Sequence, residues 1–172
     1  MPVYALGDDA PQVHPTAYVH PDAILIGRVE VGPEASIWPG AVLRGDGGRI
    51  VVGARSSIQD GVVVHVGSDL DTVLGAGCVV GHLAHLEGCV VHDGALVGSG
   101  SVLLQGVQVG AGALVAAGAV LPPGTLVPAL ALARGVPAVI VQDAVEPDAF
   151  AASAEGYVER GKRYARELRR LD

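Results

Sequence analysis

The chain has 172 residues, half of them hydrophobic, yet only six are Phe, Trp or Tyr and 25 are Gly. This length suits one domain, and its core must be narrow and built from small aliphatic side chains. The net charge of −7 argues against a nucleic-acid or anionic-membrane surface, and two cysteines are too few for a disulfide framework. Because no apolar run has membrane-spanning length and no signal-peptide pattern is present, we expect a cytoplasmic protein.

A six-residue repeat runs through most of the chain. An aliphatic residue recurs at every sixth position, and a small residue usually follows it four positions later. We expect each hexad to form a short strand and a corner, with both of these side chains pointing inward. Three hexads would complete one coil of a triangular prism, with equivalent residues of successive coils stacked about 4.8 Å apart. The aliphatic positions are Val13, Val19, Leu25, Val31, Ile37 and Leu43, then Val52, Ile58 and Val64, then Leu74, Val80 and Leu86, and finally Val91, Val97, Leu103, Val109, Val115, Leu121 and Val127.

The repeat predicts an all-β fold, a single-stranded parallel β-helix over residues 1–146, followed by a C-terminal α-helix over residues 147–172. An antiparallel barrel or sandwich would instead show strands of period two separated by turns. The period alone does not set the handedness of the coil. Hexads such as VGPEAS, VGAGAL and VAAGAV resemble those of the hexapeptide-repeat family, and this resemblance implies left-handed coils.

Three breaks interrupt the repeat in the middle of the chain. Three residues are inserted in 43–52 and four in 64–74, whereas one residue is missing in 86–91. Inserted residues must leave the prism as loops, and loops on a rigid scaffold often carry function. The breaks bracket 44–92, the segment richest in His and other polar residues. We therefore look for a functional site there.

The C-terminal segment has the pattern of an amphipathic helix. Pro147 suits its first turn, and apolar residues from Phe150 to Leu171 recur at three- and four-residue spacing. One apolar face predicts packing on the β-helix, either of the same chain or of a neighbour. Trp38 occupies an outward hexad position, so we expect it to cover a subunit contact.

Two residues of the 44–92 segment share one hexad position. His65 and Glu87 each follow an aliphatic residue directly, and three hexads separate them once the insertion is discounted. They should therefore point outward from one face, one coil apart, where they could bind one metal ion. His82 belongs to the preceding face and would reach them only from a neighbouring subunit of a three-fold trimer. His85, at the last position of its hexad, should lie at a corner outside this site.

The segments LRGD, IVVGARSSIQDGVVVH and VVGHLAHLEGC resemble the gamma-class carbonic anhydrases and their close relatives, over about residues 13–140. This resemblance implies a homotrimer with one divalent metal ion per subunit interface. Zinc is the favoured metal, and iron or cobalt are alternatives. It also implies reversible hydration of carbon dioxide to bicarbonate by a metal-activated water. The residues it implies are an interfacial ion pair of Arg44 and Asp46, catalytic Gln59 and Asp60 beside the metal, and the ligands His65, Glu87 and a neighbour's His82.

The chain departs from this family at two positions. The family motif GHxxxxHG has a second His where this chain has Glu87, so the ligand set becomes His, His and Glu, which still suits zinc. Gly47 stands where the active members place a proton-handling Glu. Both departures predict carbonic anhydrase activity that is weak or lost.

Three alternative interpretations of the site stay open. A hexapeptide-repeat acyltransferase would use a lone His as base and bind acyl coenzyme A between coils, and the exit segment with Gly135, Pro137 and Ala138 fits that class. A non-catalytic trimeric scaffold could keep the metal and lose the chemistry. His65 and Glu87 could also form a simple hydrogen-bonded surface pair.

Overall fold

The structure, a computed structural model, describes residues 2–67 and 69–172. These residues form twenty strands, most of them two or three residues long, and one helix. In chain order these are β1 Val3–Tyr4, β2 Gln12–Val13, β3 Tyr18–Val19, β4 Ile24–Val31, β5 Ser36–Ile37, β6 Val42–Val52, β7 Ser57–Ile58, β8 Val63–His65, β9 Thr72–Leu74, β10 Val79–Val80, β11 His85–Glu87, β12 Val90–Val91, β13 Leu96–Val97, β14 Val102–Leu103, β15 Gln108–Val109, β16 Leu114–Val115, β17 Val120–Leu121, β18 Leu126–Val127, β19 Leu132–Arg134, β20 Val139–Val141 and α1 Ala151–Glu167.

The strands form a left-handed parallel β-helix of about seven coils, which confirms the predicted fold class, and β20 pairs antiparallel with β19 at its end. One face, called the site face below, consists of the first halves of β4 and β6 with β8, β11, β14 and β17. The helix face is the stack from β3 through β5, β7, β10, β13 and β16 to β19. The third face joins the second halves of β4 and β6 to β9, β12, β15 and β18, because both long strands turn a corner of the prism.

The inward aliphatic positions are confirmed as the core. All but two of them are buried in the interior of the prism, together with most of the small residues that follow them. The exceptions, Val13 and Val19, are half-buried and belong to the first coils. Strands at an end of the prism have a neighbouring coil on one side only, which accounts for their exposure.

The three breaks in the repeat lie at the corner between the site face and the third face. The first insertion lies within β6. It forms a bulge there, and the pairing of β6 with β4 shifts register between Gly27 and Val29. In the second, an isolated bridge joins Gly67 to Leu70. The shortened hexad turns at Gly88, whose φ is +58°, and a Cβ there would lie 3.1 Å from the backbone nitrogen of Gly67. Both inserted segments and the tight turn therefore surround one corner.

The C-terminal helix is shorter than the predicted 147–172. It begins after Phe150 and ends at Glu167, so Pro147 lies outside it. Asp148 has a φ of +59°, a conformation that a helix cannot contain, and Leu168 is extended. No helix in the described residues is long and apolar enough to cross a membrane.

The helix packs on the helix face of its own chain, against β3, β5 and β7. Gly161 brings it close, since a Cβ there would lie 3.3 Å from that of Tyr18. The prediction that Trp38 covers a subunit contact is wrong, because Trp38 is buried beneath Tyr157 and Tyr164, with ring centroids 5.8 and 5.1 Å away. Lys162 adds an ion pair to Glu34 at 2.8 Å.

Both cysteines are free and buried, and we expect them to be inert in the folded protein. Burial raises the pKa of Cys78 to about 11 and that of Cys89 to about 12, so neither forms thiolate at neutral pH. Iodoacetamide at pH 8 should therefore leave the native protein unmodified and alkylate two sites per chain in guanidinium, as counted by intact mass. Rapid alkylation of the native protein would show that the prism opens locally at these coils.

Candidate functional site

The site face carries a line of polar side chains across three neighbouring strands. Arg44 in β6 is the register partner of His65 in β8, and His65 is the register partner of Glu87 in β11. His65 and Glu87 each follow a buried aliphatic residue, so the alternation of the strand turns their side chains outward. The two side chains therefore lie beside each other, half-buried, on one face.

Asp46 holds His65 on one side of this line. A carboxylate oxygen, Oδ1, of Asp46 lies 3.0 Å from Nε2 of His65, and the guanidinium of Arg44 donates to the other oxygen. Partial burial opposes ionisation of Asp46, but the hydrogen bonds from His65 and Arg44 outweigh it and hold the pKa of Asp46 below its ordinary value. The Arg44–Asp46 ion pair thus forms within one chain, where it keeps an ionised carboxylate against His65.

Glu87 is held on the other side of the line. Nε2 of Gln105 donates to Oε1 of Glu87 at 3.1 Å, and Nε2 of His85 lies 3.4 Å from Oε2. The hydrogen bond from Gln105, with smaller contributions from His85 and His65, holds the pKa of Glu87 below its ordinary value against partial burial. The placement of His85 at a corner outside the site is wrong, since His85 opens β11 and shares the outward face with Glu87. The last position of a hexad lies in a strand beside the aliphatic residue that follows it, as at Val79 and Val102, and the corners lie at the middle positions.

The backbone beneath the line is braced by Thr72. Its hydroxyl donates to the carbonyl oxygen of His65 and accepts a hydrogen bond from the backbone N–H of Gly88 at 2.8 Å. Thr72 is fully buried at the start of β9. It therefore ties the end of β8 to the turn that follows β11, and so fixes the spacing of His65 and Glu87.

His82 lies apart from this line, in the turn that leads from the helix face to the site face. Its Nδ1 is 3.0 Å from Oδ2 of Asp60, and both side chains are about half-exposed. A carboxylate close to Nδ1 leaves Nε2 of the imidazole open, an arrangement common in metal-binding histidines. Gln59, next to Asp60, is buried, and its backbone N–H donates to Val80.

One chain does not assemble a complete ligand set from the residues that the structure describes. Within 2–67 and 69–172, no three His, Cys, Asp or Glu side chains converge as metal ligands. The structure brings together Arg44, Asp46, His65 and Glu87, and it pairs His82 with Asp60 separately.

Three residues of the site had not been predicted from the sequence: His85, Gln105 and Thr72. Gln105 follows Glu87 by 18 residues, the length of three hexads, so the coil period could have identified it. Thr72 has no such signal, because it lies directly after the insertion and outside the regular register. His85 required the rule that the last residue of a hexad begins the next strand.

The arrangement of these side chains is suited to general-base chemistry and to metal binding. The Asp46 carboxylate holds Nε2 of the His65 imidazole, which leaves Nδ1 as the nitrogen that can act as a general base or as a metal ligand. Glu87 adds an ionised carboxylate beside it, and His82 offers a second oriented imidazole from another corner.

Known proteins share both the repeat and the fold. Residues 88–123 match the family model "Bacterial transferase hexapeptide (six repeats)". The carnitine operon protein CaiE of Escherichia coli O157:H7 is 50% identical over 104 residues, which are 60% of this chain and 53% of CaiE, so the match spans about half the length of that relative.

Solved structures match almost the whole chain. A Bacillus cereus protein provisionally described as an acetyltransferase has 30% identity and a TM-score of 0.93, covering 96% of this chain and 98% of its own. A hexapeptide transferase family protein from Anaplasma phagocytophilum has 36% identity and a TM-score of 0.89, covering 95% and 98%. The chain therefore belongs to the hexapeptide-repeat family of left-handed β-helix proteins.

Proposed function

We propose that the chain forms a cytoplasmic homotrimer with one divalent metal ion at each subunit interface, and that zinc is the favoured ion. In this proposal His65 and Glu87 of one subunit and His82 of a neighbour bind the ion, and the site hydrates carbon dioxide reversibly. The observation that carries the proposal is the register pairing of His65 with Glu87 on the outward side of the site face. It is the arrangement that a shared ion requires.

The donor set fits a divalent metal ion. Two imidazoles and one carboxylate are the ligands of hydrolytic zinc sites that keep a fourth position open. The contact between Nδ1 of His82 and Oδ2 of Asp60 supports the assignment of His82, because a carboxylate at Nδ1 leaves Nε2 free to bind. Glu87 supplies a carboxylate on the same outward face as His65.

An apolar column on the site face supports the trimer. Beside the line of Arg44, His65 and Glu87, the outward residues of successive strands are aliphatic except at His85. Such a column on an outer face suits burial against another subunit, and Val63 within it is 40% exposed in the single chain. The members of the column are Ile24, Val42, Val63, Val102 and Val120.

A divalent ion held by such a set makes water acidic enough to attack carbon dioxide at neutral pH. His65 and Glu87 would hold this ion against the site face, while Asp46 and Gln105 keep the two side chains in place. Asp60 would orient His82 toward the neighbouring subunit, and Gln59 would line the site. Glu87 brings a negative charge where a third histidine would be neutral, which weakens the acidifying effect of the ion and favours slow turnover.

Elemental analysis of the purified trimer tests the proposal. We expect close to one zinc ion per subunit in the wild type, and a loss of about tenfold or more in His65→Ala, His82→Ala and Glu87→Ala. His92→Ala is the matched control, because His92 is an exposed histidine at a turn beyond the site face. Stopped-flow hydration of carbon dioxide by the zinc-loaded protein tests the reaction. Unchanged metal content in all three variants would contradict the site, whereas bound zinc without turnover would leave a metal-binding scaffold.

An acyltransferase is the second candidate, and the contact between Asp46 and His65 favours it. A carboxylate-oriented histidine is the arrangement of a general base that deprotonates an acceptor hydroxyl or amine. The relatives described as transferases point to the same class. Calorimetric titration with acetyl coenzyme A distinguishes the two candidates, because the metal-dependent reaction needs no coenzyme.

A further inference from the structure

Glu87 is the ligand position at which this chain departs from an all-histidine set, and both of its carboxylate oxygens are held by other side chains. Gln105 donates to Oε1 at 3.1 Å, and His85 approaches Oε2 at 3.4 Å. The two partners come from different coils, since His85 belongs to β11 and Gln105 follows β14. Glu87 is therefore fixed both along its own strand and across to the next coil.

A glutamate at this place needs such support. Its side chain has one more rotatable bond than a histidine and loses more conformational freedom when it is ordered. Its register partner His65 has a carboxylate of its own, Asp46, to hold it in place. Gln105 and His85 do the equivalent for Glu87.

We propose that His85 and Gln105 are positioning residues that aim the Glu87 carboxylate at the ion shared with His65. This inference rests on the proposed metal site and extends it to two residues outside the ligand set. Each donates one N–H to a different oxygen of Glu87, which leaves lone pairs on both oxygens for the ion. Neither residue binds the ion itself.

A direct ligand and a positioning residue differ in how they depend on Glu87. If His85 acts through Glu87, removing His85 matters only while Glu87 is present. If His85 binds the ion directly, its removal weakens binding in any background. A double-mutant cycle measures this dependence.

The experiment is a competition of the purified trimer with a chromophoric chelator for Zn²⁺. We expect His85→Ala and Gln105→Ala each to weaken Zn²⁺ binding by 10- to 100-fold, the usual effect of losing a residue that orients a ligand. In the Glu87→Ala background neither change should weaken binding further. His85→Gln, which keeps an N–H donor, should recover most of the affinity. Gln108→Ala, an exposed glutamine on the third face, is the matched control for Gln105→Ala.

The outcomes separate this inference from the proposed function. A wild-type trimer that binds no Zn²⁺ overturns both. Tight binding by the wild type with equal binding by His85→Ala and Gln105→Ala overturns the positioning role alone. A loss in His85→Ala that persists when Glu87 is alanine also overturns it and identifies His85 as a ligand. Size-exclusion chromatography and circular dichroism of each variant verify that the trimer is intact.

Discussion

Mixed trimers assembled from His65→Ala and His82→Ala chains are expected to bind zinc, although neither variant binds it alone. At each proposed site one subunit supplies His65 and Glu87, and its neighbour supplies His82. A chain with His82→Ala still offers an intact His65 and Glu87, and a chain with His65→Ala still offers an intact His82. Where the two meet in the right order, the full ligand set is restored. Random assembly from equal amounts restores about a quarter of all interfaces, and each mixed trimer, the species that tandem purification isolates, has about one third of its interfaces restored.

The measurement uses co-expression of the two variants with different affinity tags, tandem purification and elemental analysis. Trimers of His65→Ala with Glu87→Ala chains are the control. Both of these changes damage the same side of the interface, so no pairing of chains restores a site. Equal zinc in the two mixtures, or none in either, would contradict a site that is shared between subunits.

The hexad period was enough to predict the fold because the prism repeats one physical rule. Leu86 and Val64 are buried for the same reason as every other aliphatic residue of the register: each coil places them in the same interior column. The adjacency of His65 and Glu87 follows from the number of hexads in one coil, and the two residues are register partners in the structure. Such local and periodic information is present in a single sequence.

The errors arose where contacts are not periodic. The repeat places Trp38 on an outer surface but does not say what covers it, and the cover is Tyr157 and Tyr164 from a helix more than a hundred residues away in the chain. Asp46 lies in the insertion within β6, where the six-residue repeat is interrupted. Its contact with His65 therefore could not be predicted from the repeat. The error at His85 was one of register: corners were assigned to the last hexad position, whereas the residue there begins the next strand, as His85 begins β11.

The contact between His82 and Asp60 was not predicted for a different reason. Both residues occupy turns at the same corner of successive coils, and the coil length in residues predicts that these turns stack. Which side chains meet there depends on rotamers that packing decides. Resemblance alone had assigned Asp60 to catalysis, whereas the structure places its carboxylate 3.0 Å from Nδ1 of His82.

Restoring a histidine at position 87 is the change expected to alter catalysis most. In Glu87→His a neutral ligand would replace an anionic one. The total charge of the ion and its ligands would then be more positive by one unit, and a bound water would become more acidic. We expect the rate of carbon dioxide hydration at pH 7 to rise by about tenfold or more and the midpoint of the pH–rate profile to fall by about one unit. Stopped-flow assays of the zinc-loaded protein with a pH indicator measure both.

Glu87→Gln is the control for this change, because it removes the charge while keeping the size of the side chain. An amide binds zinc poorly, so this variant should lose metal and not gain activity. In Glu87→His the Oε2 partner of His85 is gone, and His85→Ala should then have no effect on Zn²⁺ binding. If Glu87→His instead holds less zinc than the wild type and turns over no faster, then the carboxylate is the ligand for which the rest of this site is built. The support that Glu87 receives from Gln105 and His85 would in that case serve a reaction that needs a less acidic water than carbon dioxide hydration does.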